Sequence, residues 1–167
     1  MLPAMPGKRR GSERLFKVSL PEGFQPVKSA LVEAAFRGPG DTWLHIGSVK
    51  LRWIPVISGI QERLLYAAAR RIGPERFIEP IKDNARSLLK RSAEPGTLEI
   101  LSEEHATIAT RPALLVISTY SRGRKVRSHL YYTLSRRGEP VMVGFTAPDD
   151  DDMAWTKPIL DGLELLS

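Results

Sequence analysis

Apolar and polar positions change their period three times along this chain. From Leu15 to Leu20 they alternate, as in a half-buried strand, and the run stops at Pro21-Glu22-Gly23. Leu31 to Phe36 repeats the alternation and closes at Gly38-Pro39-Gly40. Trp43 to Trp53 is a third extended segment, carrying Leu44, Ile46, Val49 and Leu51, with a register shift expected near Gly47. The period then lengthens. Ile60, Leu64, Ala67, Ala68 and Ile72 recur at helical spacing behind Ser58, whose hydroxyl can cap the first amides and which is followed three residues later by Gln61. Gly73-Pro74 ends that helix. A second helical stretch runs from Pro74 or Pro80 to Lys90 with Phe77, Ile78, Ile81, Ala85, Leu88 and Leu89 inward, and Pro80 is expected to kink or divide it.

After Glu94-Pro95-Gly96 the period returns to two. Thr97 to Leu101, Ala106 to Thr110, Ala113 to Ser121, Val126 to Ser135 and Pro140 to Ala147 all read as strands. The short connections at Arg122-Gly123 and Arg137-Gly138 can only fold each strand back on its neighbour, so the last three form a meander. Trp155, Ile159, Leu160, Leu163 and Leu166 then describe an amphipathic closing helix, with Asp149 to Asp152 at its electropositive N-terminal end. The expected class is α+β around a mostly antiparallel sheet. Residues 1–14 lack any apolar period and read as a flexible basic tail, leaving residues 15–167 as a single domain.

Composition narrows the chemistry. At 167 residues the chain is long enough for a substantial core without staples, and it has no cysteine, which excludes disulfides, thiolate nucleophiles and thiolate metal sites. Lys17, Pro21 and Glu22 interrupt the only apolar stretch near the start, so no signal-peptide core is present, and no run reaches the length of a membrane span. A cytoplasmic protein is expected. The net charge of +6 raises the prospect of an anionic partner.

Catalytic constellations are missing from the sequence. There is no G-x-S-x-G, and Ser58-Gly59 is better explained as a helix cap. His45, His105 and His129 stand singly without paired metal-ligand spacing. Asp149 to Asp152 lacks the alternating ligands and central glycine of a calcium loop, so capping and solvation account for it better than a cation. Gly38-Pro39-Gly40 is not followed by Lys-Ser or Lys-Thr, as a phosphate cradle requires. No enzyme, cofactor or metal is expected.

The cations are more informative. Arg111, Arg122, Arg124, Lys125, Arg127, Arg136 and Arg137 fall in a stretch from 111 to 137 that contains no acid. Alternation within Val126 to Ser135 places Val126, Leu130, Tyr132 and Leu134 on one face and Arg127, His129, Tyr131 and Thr133 on the other. The polar face suits a binding surface; it also suits a solvated outer face whose charged edges discourage aggregation. The tentative contact residues are Arg122, Arg124, Lys125, Arg127, His129, Tyr131, Arg136 and Arg137. Too few aromatics are interleaved with them for a nucleic-acid platform, and Trp43, Trp53 and Trp155 are better placed in a core.

The opening Phe16-Lys-Val-Ser-Leu-Pro-Glu-Gly-Phe24, the strand Pro140-Val-Met-Val-Gly-Phe-Thr-Ala147, the segment Trp155-Thr-Lys-Pro-Ile-Leu-Asp-Gly-Leu163 and Arg111-Pro-Ala113 entering a long strand resemble the superfamily of PsbP, the Ran-binding Mog proteins and DcrB-like proteins. The resemblance covers nearly the whole chain from Phe16. It implies an α-β-α sandwich acting through protein contacts, in roles that range from photosystem subunit and small-GTPase partner to lipoprotein and chaperone of type VI secretion effectors. This sequence has no lipobox cysteine and lacks the Asp-Arg-Ser-x-Asn stretch of the effector chaperones. The resulting expectation is a non-enzymatic protein-binding adaptor or chaperone-like protein, with an association to a secretion system among its settings. The alternative is an anion binder that uses the basic hairpins on nucleic acid or acidic lipid.

Overall fold

The computed structural model describes residues 5–8, 14–29, 32–48, 78–134 and 140–165. The helix expected behind Ser58, Trp53, the Gly73-Pro74 stop and the Arg137-Gly138 turn lie outside them. The described elements run β1 (Met5–Lys8), β2 (Arg14–Val18), β3 (Gln25–Val27), β4 (Ala34–Gly38), β5 (Thr42–Ser48), α1 (Ile78–Ser92), β6 (Glu99–Ile108), β7 (Arg111–Arg122), β8 (Arg124–Leu134), β9 (Pro140–Pro148), α2 (Thr156–Asp161) and β10 (Glu164–Leu165).

Seven strands form one antiparallel sheet in the order β3-β4-β5-β9-β8-β7-β6, and β1, β2 and β10 form a small sheet of their own. Alternation then decides what each face of the large sheet carries. One face holds Phe36, Leu44, Ile46, Val141, Val143, Phe145 and Ala147; Phe16, Val18 and Leu165 of the small sheet and Ile159 of α2 close over it. The opposite face holds Leu114, Val116, Tyr120, Leu130, Tyr132 and Met142, packed against Ala85 and Leu89 of α1. A helix thus covers each side of the sheet, and the α+β class, the late meander and the closing helix are as the sequence pattern predicts. Among the described residues no helix is long and apolar enough to cross a membrane.

Several local expectations need correction. Pro80 neither kinks nor divides α1, because it occupies the first turn, where its missing N–H has no helical acceptor to lose. Thr97 to Leu101 and Ala106 to Thr110 are not two strands. They are one, β6, whose polar middle Ser102-Glu103-Glu104-His105 still pairs with β7, and only a bulge between Ile100 and Ser102 interrupts the ladder. The β5–β9 register runs without a shift from Trp43 to Ser48. Gly47 is there for room: a Cβ would stand 2.7 Å from the Glu33 carboxylate, which accepts the Ser48 N–H at 2.9 Å.

The closing helix is shorter than its apolar pattern suggests. It ends at Asp161, and Leu163 and Leu165 reach the core through the extended segment that becomes β10, pairing with Phe16 of β2. Nor do the aspartates cap it: the N-cap position is Trp155 and makes no side-chain cap bond. Asp151 and Asp152 instead accept the N–H groups of Met153 and Ala154, at 2.7 and 2.9 Å, and so shape the preceding loop. At the other end of the chain Met5–Lys8, within the expected basic tail, pairs antiparallel with β2.

Candidate functional site on the uncovered half of the sheet

Among the described residues, the small sheet and α2 cover the Phe145 face over β5 and β9 and do not extend over its whole width. On β5 and β9 the residues Leu44, Ile46, Val143 and Phe145 are 0% exposed. On β8, β7 and β6 the same face carries three cross-strand rows: Tyr131, Leu115 and Glu104; His129, Ile117 and Ser102; Arg127, Thr119 and Glu99. Leu115 and Thr119 are buried, at 7% and 4% exposure, Tyr131, His129, Arg127, Ile117 and Ser102 are half-buried, and Glu99 and Glu104 are exposed. The middle strand brings Ile117 to the surface between buried Leu115 and Thr119, the inner strand is cationic and aromatic, and the outer strand is acidic. Neighbouring strands lie roughly 4.8 Å apart, so acids and cations are held about 10 Å from each other across the trough.

Its inner wall is continuous with the core. The Tyr131 ring meets Phe145 edge-on at 6.0 Å, Phe145 meets Trp155 edge-on at 5.6 Å, and Trp155 lies 5.6 Å from Phe24. Asp151 fixes that arrangement by accepting the Trp155 indole N–H at 3.0 Å. Asp149 stands at the corner, 3.6 Å from both Lys125 and Arg127. Arg127 Nε and Asp149 Oδ1 are enclosed, yet neither has a hydrogen-bond partner among the described residues.

Burial pushes the His129 imidazole below its ordinary value, the Arg127 charge adds to this, and Glu104 opposes it. His129 is therefore neutral near pH 7, able to donate from one nitrogen and accept at the other. Burial, helped by Glu104, raises the Tyr131 hydroxyl, which keeps its proton as a donor.

The sequence-predicted contact residues divide into two groups. Arg127, His129 and Tyr131 share this surface. Arg122, Arg124 and Lys125 lie at the β7–β8 hairpin, where Gly123 takes φ 75°. Arg136 and Arg137 fall outside the described residues. The stretch from 111 to 137 is free of acids in sequence only, because the fold returns them from elsewhere: Asp41 pairs with Arg124, Asp149 with Lys125 and Arg127, and Glu94 accepts the Gly123 N–H at 2.6 Å. Glu99, Ser102, Glu104 and Ile117 were not singled out from the sequence, since the sheet order that sets them beside β8 is not visible in any one strand.

Of the remaining candidates, Trp43 is half-buried on the opposite face, stacked on His45 at 5.7 Å, with the Arg37 guanidinium 5.6 Å from its ring centre. Burial lowers the His45 imidazole. Among the described residues no group of three or more His, Asp or Glu is placed to hold a metal ion.

No protein-family model matches the chain, and no curated protein matches it in sequence. Solved structures do match in fold. LpqN of Mycobacterium tuberculosis, described as involved in cell envelope biogenesis, superposes with a TM-score of 0.54 at 11% identity, over 91% of this chain and 83% of LpqN. A protein from Bacteroides thetaiotaomicron superposes with a TM-score of 0.50 at 14% identity, over 92% of this chain and 46% of the other. A cyanobacterial PsbP from Synechocystis is also a neighbour, with a TM-score of 0.46 at 11% identity, over 90% of this chain and 86% of its own. What LpqN and the Bacteroides protein share with this chain is the fold.

Proposed function

We propose that this protein is a non-enzymatic adaptor that binds another protein through the uncovered half of the Phe145 face. One observation carries the reading: the sheet face that buries Val143 and Phe145 completely continues into a surface where Ile117, His129, Tyr131 and Arg127 are only half-buried around buried Leu115 and Thr119. An apolar floor rimmed by separated charges is how protein interfaces are built, with a core that loses water and a polar rim that sets orientation.

The test is affinity capture from the protein's own cell extract followed by size-exclusion of the complex. The wild type is expected to retain a stoichiometric partner. Ile117→Glu should lose it with folding preserved by circular dichroism, and Gln25→Glu on the far edge strand should keep it. Equal capture by Ile117→Glu and wild type sinks the reading. Replacing Arg122, Arg124 and Lys125 with Glu separates it from anion binding, which would make affinity depend on those cations and fall steeply with salt. A cytoplasmic setting and a chaperone-like role in secretion belong to the same proposal. Fractionation and the identity of the captured partner test them, and an envelope location would instead align the chain with what is described for LpqN.

A further inference from the structure

We infer that the outer edge of β6 is a docking strand for an extended, basic segment of the partner, which adds to the sheet as an eighth strand. The inference rests on the adaptor reading and names where and what the adaptor holds. The two ends of the large sheet are built differently. At one end β3 is three residues long and has Pro26 in its centre, whose missing N–H spoils it as a template. At the other end β6 runs ten residues without proline, and no described strand pairs with its outer side. Every second residue of such a strand turns its backbone N–H and C=O outward, ready for another chain.

The side chains say which chain. Leu101, at the bulge, is 46% exposed, a large apolar group with no cover. Glu99 and Glu104 are exposed on the Phe145 face and border the trough. Glu103 points to the other face, where Arg86 and Lys82 of α1 engage it. A second copy of this chain is a poor occupant. Every antiparallel self-pairing that overlaps the two β6 strands fully or nearly fully sets Glu103 or Glu104 opposite a glutamate of the copy, and directly opposed like charges are destabilising. A strand with Lys or Arg opposite Glu99 and Glu104, and an apolar residue near Leu101, meets no such conflict. Its side chains would continue the rows of the trough beside Ser102 and Ile117, so edge and face act as one surface.

The experiment uses the full-length, isotope-labelled protein and two synthetic ten-residue peptides, one alternating Lys and Val and one alternating Glu and Val. The Lys-Val peptide is expected to shift the β6 amides from Ile100 to Thr107 first, and the Glu-Val peptide to leave them in place. Combining Glu99→Lys with Glu104→Lys should weaken the Lys-Val peptide about tenfold, since two cross-strand charge pairs turn from attractive to repulsive. Shifts centred away from β6, or equal binding of both peptides, overturn the inference. The same double variant in the capture assay separates the two readings. A partner lost with Ile117→Glu but held undiminished by Glu99→Lys with Glu104→Lys leaves the adaptor standing and removes the docking strand.

Discussion

Two halves of one sheet face carry the same alternating pattern and end in opposite states. On β5 and β9, Leu44, Ile46, Val143 and Phe145 are sealed beneath the small sheet and α2; on β8 and β7, Tyr131, His129, Arg127 and Ile117 remain partly open while Leu115 and Thr119 between them are buried. Nothing local separates Val143 from Ile117, since both are apolar residues at inward positions of long strands. Among the described residues, what differs is whether the small sheet or α2 reaches them. Burial within a sheet face is set by the covering layer, and the margin where that layer ends is where a partner can continue it.

The sharpest way to break the comparison is to truncate one residue in each half. Phe145→Ala should cost about 3–5 kcal/mol in urea unfolding, as a fully buried ring touching both Tyr131 and Trp155 is lost. Ile117→Ala should cost less, about 2 kcal/mol, because part of its surface is already in water. Equal losses would mean that the open half is covered in solution. Next in size is Asp151→Ala, which removes the acceptor of the Met153 N–H and of the Trp155 indole and should cost about 1–2 kcal/mol. Trp155 fluorescence should report the loosened lid over Phe145.

A smaller effect, of opposite sign, belongs to the open half. The β6–β7 turn places Ala109 and Thr110 at φ 47° and 64°, a geometry that favours Asn-Gly. Thr110→Gly should therefore stabilise by about 0.5–1 kcal/mol, read as a higher urea midpoint, because a β-branched residue leaves the left-handed region.

The smallest effect is with pH. His45 and His129 are both depressed from 6.5 when folded, so on acidification the unfolded chain takes up these protons first. Their contribution is complete above pH 6.5 and declines as pH falls from there through the lower folded values. The melting temperature should drop modestly from about pH 7.5 to about pH 5, and His45→Gln and His129→Gln should each flatten that slope.

Much of the fold was legible because it rests on local periods. The alternations of Ala113 to Ser121, Val126 to Ser135 and Pro140 to Ala147, with Arg122-Gly123 between the first two, dictate consecutive antiparallel strands. The division of β8 into a Val126–Leu130–Tyr132 face and an Arg127–His129–Tyr131 face followed from the same rule. The candidate site was legible only in part, because its other members arrive by sheet order. Glu99, Ser102 and Glu104 join β8 across β7, and the acids that offset the basic hairpin come from Asp41, Glu94 and Asp149. Leu163 was assigned to the helix because a 3.6-residue period cannot tell a short helix followed by a core-facing extended segment from a longer helix.

The claim at the centre is that the partner continues the layer that the small sheet and α2 lay over β5 and β9. Hydrogen–deuterium exchange of the protein alone and in its captured complex tests it most directly. The account predicts new protection along β6, β7 and β8 from Glu99 to Tyr131, with β3 and β4 unchanged. Protection confined to the Arg122–Lys125 hairpin, or to the β3 side of the sheet, would contradict it.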